Sequence, residues 1–322
     1  MKKILITGGL GMIGSTVAIK LVTDGHDVTI LDAQLPRYGS NNFNIEPIKN
    51  DIKLIKADIR DTDAVESAIL NKDIIFNFAA QVDHNYSSVD PILDLDINCK
   101  GHLTILESCK KYNNKVKIIY SGTRMQYGKT SSEIVSEDHN MNPLSIYGIN
   151  KLTAEKYYNL YYQQYGIKNI CFRITNPYGP RAQVKNPTYC ILNWFIRQVM
   201  ENKNITIFGD GSQKRDYIFI DDLAEAMVAA ALNENIYGNN YNLGFGSSIK
   251  LVKAAQLIVD TYGQGDVIFV DWPKNWKNIE SGSFEVNVDK IKNDLDWFPR
   301  FNINDGILQT IEYYKKYHQH YW

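Results

Sequence analysis

Tyr147 and Lys151 stand four positions apart in Tyr147-Gly148-Ile149-Asn150-Lys151, which opens a stretch of helical periodicity. Residues at i and i+4 share one helix face. A tyrosine hydroxyl, with a pKa of about 10, is a poor base at neutral pH. A lysine ammonium one turn away, together with a positively charged hydride acceptor, would stabilise the phenolate and lower that value. A tyrosine so placed can take the proton of an alcohol while hydride leaves the same carbon. The Y-x-x-x-K spacing alone is common in a chain with 21 tyrosines. Its meaning depends on whether a hydride acceptor lies nearby.

The N-terminus supplies the site for one. Thr7-Gly8-Gly9-Leu10-Gly11-Met12-Ile13-Gly14 closes an expected strand and opens an expected helix. Gly8, Gly11 and Gly14 let the chain turn tightly, let backbone approach a pyrophosphate, and let the helix pack close to the strand. The helix start at Met12 and Ile13 carries about half a positive charge, which favours phosphate oxygens. Asp32 ends the second strand about 20 residues on, where a carboxylate accepts hydrogen bonds from a ribose 2′-OH. The same carboxylate repels a 2′-phosphate, so NAD is expected rather than NADP. Asp58 and Ile59 follow the third strand and are placed to flank the adenine. Ala79, Ala80 and Gln81 follow the fourth, where small side chains admit a cofactor close to the backbone.

The elements that must position these residues alternate. Ile4–Thr7, Val28–Leu31, Leu54–Ala57, Ile74–Phe78, Val116–Ser121 and Ile170–Ile174 read as short, continuous apolar strands covered on both faces. Helices are expected near Ile13–Asp24, Thr62–Leu70, Ile92–Tyr112 and Tyr147–Tyr165. This βαβα rhythm predicts an α/β fold with a doubly wound parallel sheet of Rossmann type. After Pro177 the texture changes, with one helix in Pro187–Asn204, strands at Ile205–Phe208 and Tyr217–Ile220, and a helical tail at Asn304–Lys316. Asp221-Asp222 is expected to cap a helix over Leu223–Leu232. The predicted layout is a Rossmann domain over 1–178, with roughly 216–245 returning to it, and a smaller α+β substrate domain drawn mainly from 179–322.

Composition removes several function classes. The apolar fraction is 44%, enough for a packed core. The formal net charge is −1, and no basic run marks a nucleic-acid or anionic-membrane surface. No apolar stretch approaches the roughly 20 residues that span a bilayer. The charged start Met1-Lys2-Lys3 precedes a strand rather than the apolar run of a signal peptide. Cys99, Cys109, Cys171 and Cys190 form no C-x-x-C pair. This argues against a zinc site or disulfide framework and fits a cytoplasmic enzyme. Cys99 and Cys109 read as core thiols on one helix, and His318 and His320 as an exposed terminus with no metal role.

Taken together, the motifs resemble the extended short-chain dehydrogenases/reductases of the nucleotide-sugar epimerase/dehydratase group, of the UDP-glucose 4-epimerase kind. The likeness runs through the glycine loop, Asp32, Asp58, Ala79-Ala80, Asn98, Ser121-Gly122-Thr123 and Tyr147/Lys151. It continues in Arg173-Ile174-Thr175-Asn176-Pro177-Tyr178-Gly179-Pro180, Arg215-Asp216-Tyr217-Ile218 and Leu295-Asp296-Trp297-Phe298-Pro299. The resemblance implies that Asn98 and Ser121 lie at the cofactor and that Thr175 lies near the nicotinamide amide. It implies that Thr123 hydrogen-bonds the reacting oxygen and that Lys151 also holds the nicotinamide ribose. Asn176 and Arg215 match residues that hold a sugar nucleotide, with Arg215 on the diphosphate, where a guanidinium fork suits phosphate oxygens. Arg181 and Lys185 either add charge there or are solvated loop cations. Lys277 stands where the family often has a further diphosphate arginine. Relatives also pair the helices near 92–112 and 147–165 with a second subunit. A homodimer is therefore implied, and the tyrosines of the second helix suit either that interface or core packing.

The residues after Thr123 narrow the reaction. Related 4,6-dehydratases carry acidic groups there, whereas this chain has Arg124-Met125, neither of which is a carboxylic acid or base. Epimerisation through a transient ketone needs no further group. The expected activity is epimerisation at C4 of a nucleotide-linked hexose. A 2-epimerase of CDP-dideoxyhexoses and a keto-sugar reductase or dehydrogenase remain as alternatives, and a non-enzymatic dinucleotide sensor is disfavoured by the intact Tyr-Lys pair. His84, just after the fourth strand, is a substrate-side residue able to act as acid or base near neutral pH. Surface-glycan precursor synthesis is the setting the resemblance implies.

Overall fold

The computed structural model describes residues 1–130, 134–272 and 282–322. Strands β1 (Lys3–Thr7), β2 (Asp27–Asp32), β3 (Ile52–Lys56), β4 (Ile74–Asn77) and β5 (Lys117–Thr123) follow in order. The short β6 (Ile134–Val135) precedes β7 (Asn169–Ile174), β8 (Asn176–Tyr178), β9 (Ile205–Phe208), β10 (Lys214–Phe219) and β11 (Asn240–Leu243). Seven of these form one sheet in the order β11-β7-β5-β4-β1-β2-β3. Every pairing within it is parallel. The order in which successive strands are added reverses between β1 and β4, which opens a crevice at the carboxyl ends of the strands.

Period-2 alternation places side chains in two cores. Ile4 and Ile6 of β1 and Ile74 and Phe76 of β4 face one cluster. Leu5 and Ile75, between them, face the other with Ile118 and Tyr120 of β5. Continuous apolar runs are what a sheet covered on both faces requires. β3 departs from that expectation, because it is the sheet edge and Leu54 is 39% exposed.

Helices α1 (Met12–Thr23) and α2 (Thr62–Ile69) fall where periodicity places them. The single helix expected over Ile92–Tyr112 is instead α3 (Pro91–Leu95), a π-helical turn at Asp96–Gly101, and α4 (His102–Tyr112). A π turn adds one residue per turn and re-aims side chains. Here Asn98 exchanges hydrogen bonds with the backbone of Gln81, Asn98 Oδ1 accepting from its N–H at 3.1 Å and Nδ2 donating to its carbonyl at 2.8 Å. α5 (Ile146–Tyr165) begins at Ser145, whose Oγ accepts from the Gly148 N–H at 3.1 Å, and ends at Gly166 in the left-handed conformation.

The rest comprises α6 (Ile191–Met200), α7 (Ile220–Leu232), β12 (Ser248–Lys250), α8 (Leu251–Tyr262), β13 (Val267–Val270), β14 (Glu285–Val286), α9 (Asp289–Leu295) and α10 (Ile303–Tyr317). β8 and β12 flank β10, and β13 pairs with β9. The expected Asp221-Asp222 cap is not formed. β10 runs straight into α7 at Ile220, and Phe219 precedes it without a side-chain cap. Asp222 instead accepts the N–H groups of Arg300 and Phe301 at 3.0 and 2.9 Å, pinning the approach to α10.

Candidate active site

A cavity of about 490 Å³ lies at the carboxyl edge of the main sheet and extends to β9, β10 and α6. The strand ends deliver its first wall: the glycine loop after β1, Asp32 of β2, Asp58 and Ile59 after β3, Ala79 and Ala80 after β4, Ser121 and Thr123 of β5, and Thr175 after β7. Tyr147 and Lys151 enter from α5. His84, Asn176 and Arg215 also line it.

The glycine loop is tight enough to exclude side chains. Gly8 has φ +67°, and a Cβ there would meet the Ala79 backbone nitrogen at 2.8 Å. A Cβ on Gly14 would lie 2.3 Å from the Gly8 carbonyl oxygen. Asp32 braces the loop from behind. Its Oδ2 accepts the Leu10 N–H at 3.0 Å, and its Oδ1 accepts from the Gln34 N–H and Ser40 Oγ. Asp58 is held by Arg60 through two contacts of 2.9 and 2.8 Å.

Thr123, Tyr147 and Lys151 converge from two elements. Thr123 ends β5 and starts the turn Arg124–Gln126, with its Oγ1 accepting the Met125 N–H at 3.3 Å. Gly148 lets α5 press against that turn, since a Cβ would meet the Met125 carbonyl at 2.7 Å. Tyr147 is then close enough to hydrogen-bond Thr123. Part of the Tyr147 ring faces the cavity, yet protein surrounds it closely. Desolvation pushes its phenol well above the ordinary range, the Asp94 carboxylate adds to the rise, and Thr123 opposes it. Burial pushes the Lys151 ammonium down to about 7, with Asp94 opposing. In the protein alone the phenol is therefore a weak acid rather than a ready base, and the lowering expected from the sequence also requires a positive hydride acceptor beside it.

Lys151 carries the fit test for a dinucleotide. Its Nζ is buried, lies 4.8 Å from the Tyr120 ring centroid, and has no hydrogen-bond partner among the described residues. A buried amine without a partner is costly unless a ligand supplies one. A ribose hydroxyl does so, and the glycine cradle and Asp32 lie along the same cavity wall. The donor set fits a dinucleotide.

Two buried polar clusters stand behind these residues. Gln126 Oε1 accepts the Thr123 N–H at 2.7 Å, and its Nε2 donates to Glu155 at 2.7 Å. Glu155 is paired bidentately with Arg173 at 3.0 and 2.7 Å, both fully buried. Glu155 sits four residues after Lys151, so α5 presents Tyr147, Lys151 and Glu155 in one ladder. That spacing is legible in the sequence. Gln126 had no such signal, because its role depends on the absence of a Cβ at Gly122, which would lie 2.4 Å from Gln126 Oε1. In the second cluster, Asp94 accepts from Gln81, Asn98 and Asn150 at 2.7, 3.1 and 2.7 Å.

Several expected site residues stand elsewhere. Gln81 and Asn98 are buried in the Asp94 cluster and do not line the cavity. Arg181 also lies outside the lining. Its Nε donates to Thr16 Oγ1 at 3.1 Å and its guanidinium pairs with Asp221 at 3.6 Å. Lys185 is exposed and outside the lining. Lys277 lies outside the described residues. Tyr189, Phe208 and Trp272, not singled out in the sequence, do line the cavity. Of the expected core thiols, Cys99 and Cys109 are both buried. His318 and His320 are exposed, but the His320 ring stacks on Phe43 at 3.7 Å. No helix among the described residues is long and apolar enough to cross a membrane.

Comparison with known proteins agrees with this geometry. Residues 4–244 match the NAD dependent epimerase/dehydratase family. A putative UDP-glucose 4-epimerase of Methanocaldococcus jannaschii is 32% identical over 315 residues, spanning 97% of this chain and 98% of the relative. The CDP-paratose 2-epimerase of Salmonella typhi is 28% identical over 337 residues, spanning 97% and 98%. The structure of a UDP-glucose 4-epimerase of Thermotoga maritima with UDP-glucose aligns with a TM-score of 0.89 at 28% identity, over 98% of this chain and 99% of that one. With a glycine cradle, a Tyr-Lys pair on one cavity wall and a match along most of its length, this chain belongs to the NAD-dependent epimerase/dehydratase family.

Proposed function

We propose that this protein is a nucleotide-sugar epimerase acting at C4 of a nucleotide-linked hexose, with Tyr147 as the acid and base. The observation that carries this reading is the cavity wall around Thr123. Arg124 and Met125 follow it directly, and the acidic residues among the described lining are Asp32 and Asp58, at the glycine-loop end. No carboxyl group there is placed beside Thr123 for the second proton transfer of a dehydration. Inversion needs one proton relay, which Thr123, Tyr147 and Lys151 supply.

NAD, when bound, supplies a reversible hydride acceptor that lets a secondary alcohol pass through a ketone. Gly8, Gly11 and Gly14, with the α1 start at Met12 and Ile13, would hold its pyrophosphate. Asp32 would take the adenosine ribose, with Asp58 and Ile59 beside the adenine. Lys151 Nζ would hold the other ribose, with Ala79, Ala80, Ser121 and Thr175 close by. Thr123 Oγ1 orients the reacting sugar oxygen. Tyr147 Oη takes the proton from that oxygen and later returns it. Desolvation makes Tyr147 a poor base in the protein alone, so a cation brought beside it is what makes the phenolate accessible. Asn176 and Arg215 would bind the nucleotide diphosphate, and His84 contacts the sugar. In this reading residues 1–178, with about 216–245, serve the cofactor, and most of 179–322 shapes the sugar pocket.

A second reading, inversion at C2 of a CDP-linked dideoxyhexose, is favoured by the near full-length match to a CDP-paratose 2-epimerase. Proton NMR of the purified protein with UDP-, GDP-, CDP- and dTDP-sugars, without added NAD, decides between them. A new anomeric pattern from inversion at C4 supports the first reading, and C2 inversion of a CDP-sugar the second. Turnover only with stoichiometric NAD or NADH would replace both with a one-way dehydrogenase or reductase.

The same reading includes a homodimer. Tyr158 and Tyr161 of α5 are buried, while Ile149, Leu160, Tyr162 and Tyr165 are exposed, as are Ile92 and Leu95 of α3. Ile149 and Leu160, three turns apart on the outer side of α5, together with Ile92 and Leu95, suit pairing with a second copy. A dimer mass by light scattering is expected, and a monomer at micromolar concentration would remove this part of the proposal.

A further inference from the structure

Behind the glycine loop, on the side away from the cavity, three distant segments meet. Leu10, at the tip of the loop, is fully buried. Its N–H is taken by Asp32, and its carbonyl accepts from the Asn41 N–H at 3.1 Å and from Asn44 Nδ2 at 2.8 Å. Asn44, itself buried, also donates to the Arg181 carbonyl at 3.0 Å. Its Oδ1 accepts from the Tyr321 hydroxyl at 2.5 Å. Tyr321 is buried too, and its hydroxyl meets that of Tyr313 in α10 at 2.6 Å. Phe43 stacks on His320, and Asn41 Nδ2 donates to the His320 carbonyl at 3.0 Å. None of Asn44, Arg181, Tyr313 or Tyr321 lines the cavity.

We propose that Tyr321 and Asn44 form a clamp that fixes the Leu10 carbonyl, so that the last turn of the chain controls how tightly the glycine loop holds NAD. The logic is one of preorganisation. The loop holds a pyrophosphate through backbone N–H groups, and these bind best when their directions are set before the ligand arrives. The Asn44 side chain joins the loop tip to both Arg181 and Tyr321. The amide can donate to Leu10 and Arg181 together only if it is oriented, and the Tyr321 hydroxyl orients it by donating to Oδ1. Arg181 joins the same device. With φ +70° it turns its carbonyl toward Asn44, while its side chain ties Thr16 of α1 to Asp221 of α7. These connections thus serve the loop from behind. Asn44 and Tyr321 are positioning residues, acting through Leu10.

The test rests on NAD binding alone and is independent of which sugar is turned over. Tyr321→Phe keeps the ring and removes the hydroxyl. Release of NAD from the purified holoprotein, followed by exchange with labelled NAD, is expected to be about three- to tenfold faster in Tyr321→Phe and in Asn44→Ala. In the protein freed of NAD, hydrogen exchange of residues 8–14 is expected to rise in Tyr321→Phe while β4 and β5 keep their protection. A merely structural role would loosen those strands equally. Unchanged release and unchanged exchange of residues 8–14 in Tyr321→Phe, or a uniform rise across the whole sheet, overturns the clamp. Faster release without sugar turnover would uphold the clamp while counting against the epimerase reading.

Discussion

At the glycine-loop end of the cavity, ligand-facing groups are backbone and small side chains held at the ends of adjacent parallel strands. Beyond Thr123 the wall is made of side chains from separate elements, among them Tyr189 before α6, Phe208 of β9, Arg215 of β10 and Trp272 after β13. The first end has little freedom, since a single Cβ on Gly8 or Gly14 would strike backbone. The second can change residue by residue without disturbing the sheet. One end therefore fits one cofactor, and the other can be respecified for different sugars on the same scaffold.

Four changes sharpen that contrast, taken from the largest expected effect. Tyr147→Phe removes the proton relay while leaving the cradle intact. Turnover should fall about 10²–10⁴-fold, with NAD retained on gel filtration. Substantial turnover in this variant would mean that another group moves the proton. Gly14→Ala attacks the other end. Forcing a methyl against the Gly8 carbonyl costs about 1–3 kcal/mol, so NAD affinity by calorimetry should weaken roughly 10- to 100-fold. Wild-type affinity would show that the loop is softer than its packing implies.

Gln126→Leu tests the link between the two ends. It leaves the buried Thr123 N–H and one Glu155 oxygen without Gln126, which costs about 1–3 kcal/mol. If Gln126 sets the position of Thr123 against Tyr147, kcat should drop roughly tenfold with KM little changed. A rise in KM alone would assign Gln126 to substrate binding instead. The smallest effect concerns pH. Burial holds Lys151 at about 7 against an ordinary 10.5. Between those values the unfolded chain binds more protons, so this residue makes stability rise with pH over that window. Lys151→Met should flatten that slope in urea melts of NAD-free protein. An unaltered slope would show that Lys151 is better solvated than its burial implies.

The same contrast explains what the sequence revealed. Gly8, Gly11, Gly14, Asp32, Tyr147 and Lys151 all line the cavity, and their placement there was legible because it follows from spacing along one strand, loop or helix. Arg181 and Lys185 read from the sequence either as added charge at the diphosphate or as solvated loop cations. Yet the left-handed backbone at Arg181 turns its side chain toward Thr16 and Asp221. The π turn after Leu95 was hidden, because an extra residue in a helix leaves no mark in composition. Glu155 could have been read from its i+4 step beyond Lys151. Gln126 could not, since its contact depends on the empty space at Gly122.

The most direct test of a hydride-based inversion governed by Tyr147 is to run the sugar-nucleotide panel in D₂O without added NAD and read the inverted carbon by proton NMR. The account expects inversion with hydrogen fully retained at that carbon, and no inversion in Tyr147→Phe. Deuterium appearing at the inverted carbon would mean that a proton, not a hydride, is exchanged there, and would contradict hydride transfer with Tyr147 and Lys151 as its proton relay.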